Sequence, residues 1–201
     1  MWRSLWMDFF AILSCAQICT AEMPFPRRVI SFWDGKADKS ADDCLVHKTL
    51  EMPLNHLGID VMYSDIQEPL PPLSREDGVL GVILCFRDET KRCRPIELID
   101  WAIEAIELGK KVLIFRNGGF LVDQNGFFTP IDEQNRLFER LGLVNSGRWV
   151  DYPFDYKVVY SDSALIPFER NYSDPLPGFY QAQNLGAAES LLKVAIPEQK
   201  D

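Results

Sequence analysis

Gly78–Phe86 reads GVLGVILCF, an apolar run of strand length with no polar residue in it. A strand with one wet face alternates apolar and polar residues. One without alternation is covered on both faces, as the inner strands of a parallel sheet are. Upstream, Val29–Trp33 (VISFW) is a second buried strand, closed by the turn pair Asp34-Gly35, and Ile59–Tyr63 is a third. Downstream, Lys111–Arg116 (KVLIFR) is a fourth, followed by Asn117-Gly118-Gly119.

Helical periodicity fills the gaps. Pro95–Leu108 places Leu98, Ile99, Ala102, Ile103 and Ile106 on one stripe, and Glu97, Asp100, Glu104 and Glu107 opposite. Pro95 suits its first turn and Gly109 its end. His47–Leu57 carries Leu50, Leu54 and Leu57 on one face before Gly58, with Pro53 imposing a kink or a late start. Thr129-Pro130 opens a helix through Leu141, and Phe120–Phe128 is expected to be a hairpin around Gln124-Asn125-Gly126. Beyond Trp149 the pattern weakens, so residues 150–201 are expected to be irregular apart from short strands near Lys157–Tyr160. Strands alternating with helices predict a parallel α/β sheet with right-handed crossovers. The fold class expected is a flavodoxin-like three-layer sandwich, one domain over residues 22–201.

Composition sets limits on function. The chain has 201 residues, 47% hydrophobic and 25% charged, which is a globular rather than a disordered composition. Its net charge of −9 disfavours a nucleic-acid surface and docking on anionic lipid. Met1–Ala21 reads as a secretory signal: Arg3, an apolar run from Phe9 to Cys19, then small residues at Cys19-Thr20-Ala21. That run is shorter than the ~20 residues a membrane span needs. The expected location is therefore periplasmic or secreted, with the mature chain starting near Glu22 and no transmembrane segment beyond the signal. Cys44, Cys85 and Cys93 would remain. Cys85 and Cys93 could pair in an oxidising compartment, or Cys85 could be a buried free thiol.

Ligands of such sheets sit beyond the carboxyl ends of the strands. Asp34, Arg87, Asp88 and Asn117 stand there and could offer carboxylates, a cation and turn amides to a polar ligand such as a sugar. The same residue types also close tight turns for backbone reasons alone. Phosphate-binding glycine motifs are absent, and no cofactor is called for. No catalytic residue is assigned. Arg116-Asn117-Gly118-Gly119 follows a suitable strand, but it holds neither the Ser nor the Cys that a nucleophile elbow requires. Ser31–Gly35 (SFWDG) is similar to the Phe-Asp-Asp-Gly stretch of metal-dependent polysaccharide deacetylases, with Trp33 in place of one acid. Those enzymes use two His four apart. His47 and His56 are nine apart and, at about 100° per residue, face opposite sides of a helix. No metal site is assigned either, and the two His are expected to be a surface residue and a helix-end packing residue.

Glu51–Gly58 (EMPLNHLG), followed by IDVMYSDI, resembles a segment of large exported bacterial proteins of the Pel-exopolysaccharide glycoside hydrolase/deacetylase type. GVLGVILCF, the helix over 96–108 and KKVLIFRNGG fit the same pattern, so the resemblance spans roughly Arg27–Leu143. It implies an accessory flavodoxin-like domain, similar to class I glutamine amidotransferase domains, whose nucleophile is absent. The hydrolase and deacetylase domains of those proteins are not in this chain. The function expected is a non-catalytic accessory or carbohydrate-interacting domain of an exported exopolysaccharide-processing system, with a polysaccharide or an envelope protein as partner. The alternative is a hydrolase, of polysaccharide deacetylase or amidotransferase-like kind, with an unrecognised site.

Overall fold

A computed structural model of the chain describes residues 27–87, 94–150, 157–161, 179–189 and 192–195. The expected signal segment Met1–Ala21, Asp88 and Cys93 lie outside the described residues. Four strands form a parallel sheet: β1 (Arg28–Trp33), β2 (Asp60–Asp65), β3 (Val79–Phe86) and β4 (Lys111–Arg116), in the order β2-β1-β3-β4. The apolar run that decides the fold is thus an inner strand, with β1 on one side and β4 on the other.

Alternation along the strands divides the core between two faces. Ile30, Phe32, Val82, Leu84 and Phe86 point to the first face. They meet Leu98, Ile99, Trp101, Ala102 and Ala105 of α2 (Pro95–Glu107) and Leu137 of α3 (Ile131–Arg140). Phe32 and Trp101 pack edge to face with ring centroids 5.2 Å apart. Val29, Ile83 and Cys85 point to the second face, against Cys44, Val46, Leu50 and Leu54. The result is helix, sheet, helix: a mixed α/β fold consistent with a flavodoxin-like three-layer sandwich.

The second-face helix is irregular, and Pro53 explains why. A π-helical turn, His47–Glu51, runs into the short α-helix α1 (Met52–His56), with Pro53 in its first turn. Proline has no N–H to give, and in a regular α-helix its ring would press on the carbonyl four residues earlier. Widening the preceding turn relieves that contact. Gly58 ends the helix at φ +70°, a backbone geometry that disfavours any side chain.

Asp77 and Lys110 pin the amino ends of β3 and β4. Lys110 Nζ donates to Asp77 Oδ1 at 2.6 Å and to the Val79 carbonyl at 3.0 Å. The expected hairpin over 120–128 is present as a tight turn: Val122 bridges Phe128 antiparallel, Asp123 N–H donates to the Phe127 carbonyl and Thr129 N–H to the Leu121 carbonyl, both at 2.9 Å. After α3 the chain leaves the parallel sheet. β5 (Leu143–Val150) pairs antiparallel with β7 (Phe179–Asn184), and β6 (Lys157–Ser161) with β8 (Leu192–Ala195). β6 is the strand expected near Lys157–Tyr160, and the part expected to be otherwise irregular contributes two more, β7 and β8, among its described residues. Asn135 of α3 joins the β5 end to the core as a strand would: its Oδ1 accepts from Asn145 N–H at 2.7 Å and its Nδ2 donates to Asn145 O at 3.2 Å. No helix among the described residues is long and apolar enough to cross a membrane.

Candidate functional site at the carboxyl edge

The order β2-β1-β3-β4 reverses direction between β1 and β3. Loops diverge at that switch point and leave a crevice beyond the strand ends. Asp34 follows β1, Arg87 follows β3 and Asn117 follows β4, so the structure brings three of the four sequence-assigned residues to one edge.

Asp34 is turned inward and only 2% exposed. Its Oδ1 accepts from Lys36 N–H at 3.1 Å and from Gln67 Nε2 at 2.8 Å. Its own N–H donates to Asp38 Oδ2 at 3.1 Å. Asp65, at the end of β2, accepts the N–H groups of Gly35 and Gln67, both at 3.0 Å. Its carboxylate lies over Gly35 so closely that a Cβ there would sit 2.2 Å from Oδ2. Asp34, Asp38, Asp65 and Gln67 together lace the β1 loop to the β2 loop. The chemistry open to Asp34 is positioning: it fixes the loop that borders the crevice.

Arg87 is exposed, and its guanidinium donates to the Asp43 carbonyl at 2.8 Å, tying the end of β3 to the 3₁₀ turn Ala41–Asp43. Asp43 also pairs with Lys48. Asn117 Oδ1 accepts from Gly119 N–H at 2.8 Å, while its backbone carbonyl accepts from Phe86 N–H at 2.9 Å. The residue before it, Arg116, has φ +60°, the one positive φ outside glycine among the described residues. Arg116 therefore occupies the strained position of a strand-end elbow. The chain beyond it enters the Val122–Phe128 turn rather than a helix.

A second polar cluster lies on the neighbouring face. Glu51 Oε2 accepts from Tyr63 OH and contacts His47 Nδ1, each at 2.5 Å. The Tyr63 hydroxyl first, then His47 and Asn55, hold the Glu51 carboxyl below the usual carboxylate range against the opposing effect of burial. Burial, reinforced by that carboxylate, pushes the Tyr63 hydroxyl up, so it stays a donor. His47 is thus one member of a bridged cluster rather than an isolated surface residue. The i,i+4 spacing of His47 and Glu51 was the available signal; that Tyr63 of β2 completes the set depends on strand pairing.

Neither described thiol is poised as a nucleophile. Burial pushes Cys85 up to about 11, and it raises Cys44 as well against the amides of His47 and Val46. Both are free and buried. Among the described residues no group of three His, Cys, Asp or Glu side chains is placed to hold a metal ion. Compared with known proteins, the chain matches no family model, no curated protein and no solved structure.

Proposed function

We propose that this chain is a non-catalytic accessory domain that binds polysaccharide at the carboxyl edge of its sheet, within an exported exopolysaccharide-processing system. The observation that carries the non-catalytic part is Arg116. The strained elbow after β4 is present, yet an arginine stands on it and the next helix begins only at Ile131, too far on to aim amides at a reacting carbonyl there. The resemblance of Glu51–Gly58 and the strands around it supports the polysaccharide setting.

The crevice between β1 and β3 offers a polar edge in a chain of net charge −9. Arg87 and the amide of Asn117 are the groups for hydroxyl and carbonyl oxygens, with Asp88 next in sequence to Arg87. Asp34 acts from behind by ordering the loop. A partly deacetylated glycan, which carries ammonium groups, is the class that suits the overall charge, and the long-range field would speed its approach at low salt.

The test pairs binding with turnover. Partly deacetylated hexosamine oligomers should bind the purified chain, and Arg87→Ala should weaken binding while far-UV dichroism stays native. No acetate should be released. Acetate release that Arg87→Ala abolishes would instead establish the hydrolase reading.

A further inference from the structure

Among the described residues the parallel sheet has four strands. A doubly wound sheet that begins β2-β1-β3-β4 is commonly continued by a fifth strand beside the fourth. Here the strand that follows α3 pairs elsewhere, β5 with β7, and among the described residues nothing pairs with the outer edge of β4. The second face of β4 is also uncovered among the described residues. Leu113 and Phe115 are each 45% exposed, although their neighbours in register on β3, Ile83 and Cys85, are 4% and 1% exposed. The helix over residues 47–56 covers β1, β2 and β3 on that face and does not reach β4. Lys111 shares the face, two residues before Leu113, and Arg116 ends the strand; both are exposed. The edge therefore has an apolar centre and a cation at each end, within an acidic protein.

We infer that the β4 edge is a docking site for an extended segment of a partner protein, apolar at alternate positions and acidic at its ends, which adds to the sheet as a fifth strand. Open N–H and C=O groups along the edge supply affinity to any extended chain. Leu113 and Phe115 select apolar side chains at every second position. Lys111 and Arg116 choose the sign of charge. They also argue against a second copy as the occupant. A second β4 brings the same two cations and no acid to meet them, because the strand reads KVLIFR. Lysine at an edge is a known guard against such self-pairing.

The test uses the full chain and two fluorescein-labelled peptides, one alternating valine with glutamate and one alternating valine with lysine. The glutamate peptide should raise its anisotropy saturably, more strongly at low salt, and slow amide exchange within residues 111–116. Lys111→Glu should weaken it by about tenfold, equivalent to ~1.4 kcal/mol. Phe115→Ser should weaken it too, with native far-UV dichroism retained in both variants. Equal binding of the lysine peptide, protection at β2 instead of β4, dimerisation of the chain through β4, or no binding at all would each overturn the inference.

Discussion

Lys110 keeps its ammonium group almost out of water, with the side chain 3% exposed, because Asp77 and the Val79 carbonyl both accept from it. Burial alone would raise the Asp77 carboxyl, but Lys110 and the amides of Ser74 and Val79 outweigh it and hold that carboxyl low. The sign of the pH dependence follows. A carboxyl whose pKa falls on folding binds its proton more tightly in the unfolded chain. The stability it contributes is complete above the unfolded value, ~3.9, and is lost as pH falls through the folded one. Asp77→Asn should cost about 2 kcal/mol at neutral pH and flatten the acid-side loss, as urea melts from about pH 6 to about pH 3 would record. Ser31 is the opposite case. Its hydroxyl is buried in β1 with no hydrogen-bond partner among the described residues, so Ser31→Ala should raise stability by ~1 kcal/mol in the same melts. Neither role could be seen in the sequence. Asp77 and Lys110 are 33 residues apart, and only the pairing of β3 with β4 brings them together. Asp34 was legible as a strand-end acid, but its inward turn depends on Gln67 and Asp65 from another loop.

Strand β3 carries the architecture, and its two constraints differ in kind. Ile83 lies in the second-face cluster, so Ile83→Asp places an unpaired charge there. That costs several kcal/mol, on the scale of total stability, and should leave no cooperative thermal transition. Gly81 faces Lys111, whose backbone oxygen would lie 2.5 Å from a Cβ. Gly81→Ala should lower stability by ~1–3 kcal/mol through forced separation of β3 and β4, measurable as a lower melting temperature with native far-UV dichroism. The elements themselves were readable where one signal dominated: the unbroken apolar run of β3, the stripe of α2, the Pro and Gly that bound it. The π-helical turn was not, because Pro53 announces only that a regular helix is impossible, not which distortion replaces it. Strands β5, β7 and β8 were obscure for a different reason. Antiparallel ribbons draw their stability from each other, and Arg148, Gln181 and Gln183 interrupt any apolar pattern in β5 and β7.

At the scale of the whole molecule, three features converge on the carboxyl edge: the switch between β1 and β3, the laced loops around Asp34 and Asp65, and the arginine-bearing elbow after β4. A sheet of this order was legible from strand and helix alternation alone. The disposition of the edge was not, since each loop's hydrogen bonds run to a neighbour distant in sequence, as Arg87 runs to Asp43. On the proposed function, this edge holds a sugar chain without cutting it. Isothermal titration of a partly deacetylated hexosamine oligomer into the purified chain tests both halves of that claim in one trace, because binding gives heats that saturate and turnover gives heat that persists. The proposed function predicts saturating heats that shrink as salt is raised, with the baseline restored after every injection. Continuous heat after saturation, or no heat above dilution, would contradict it.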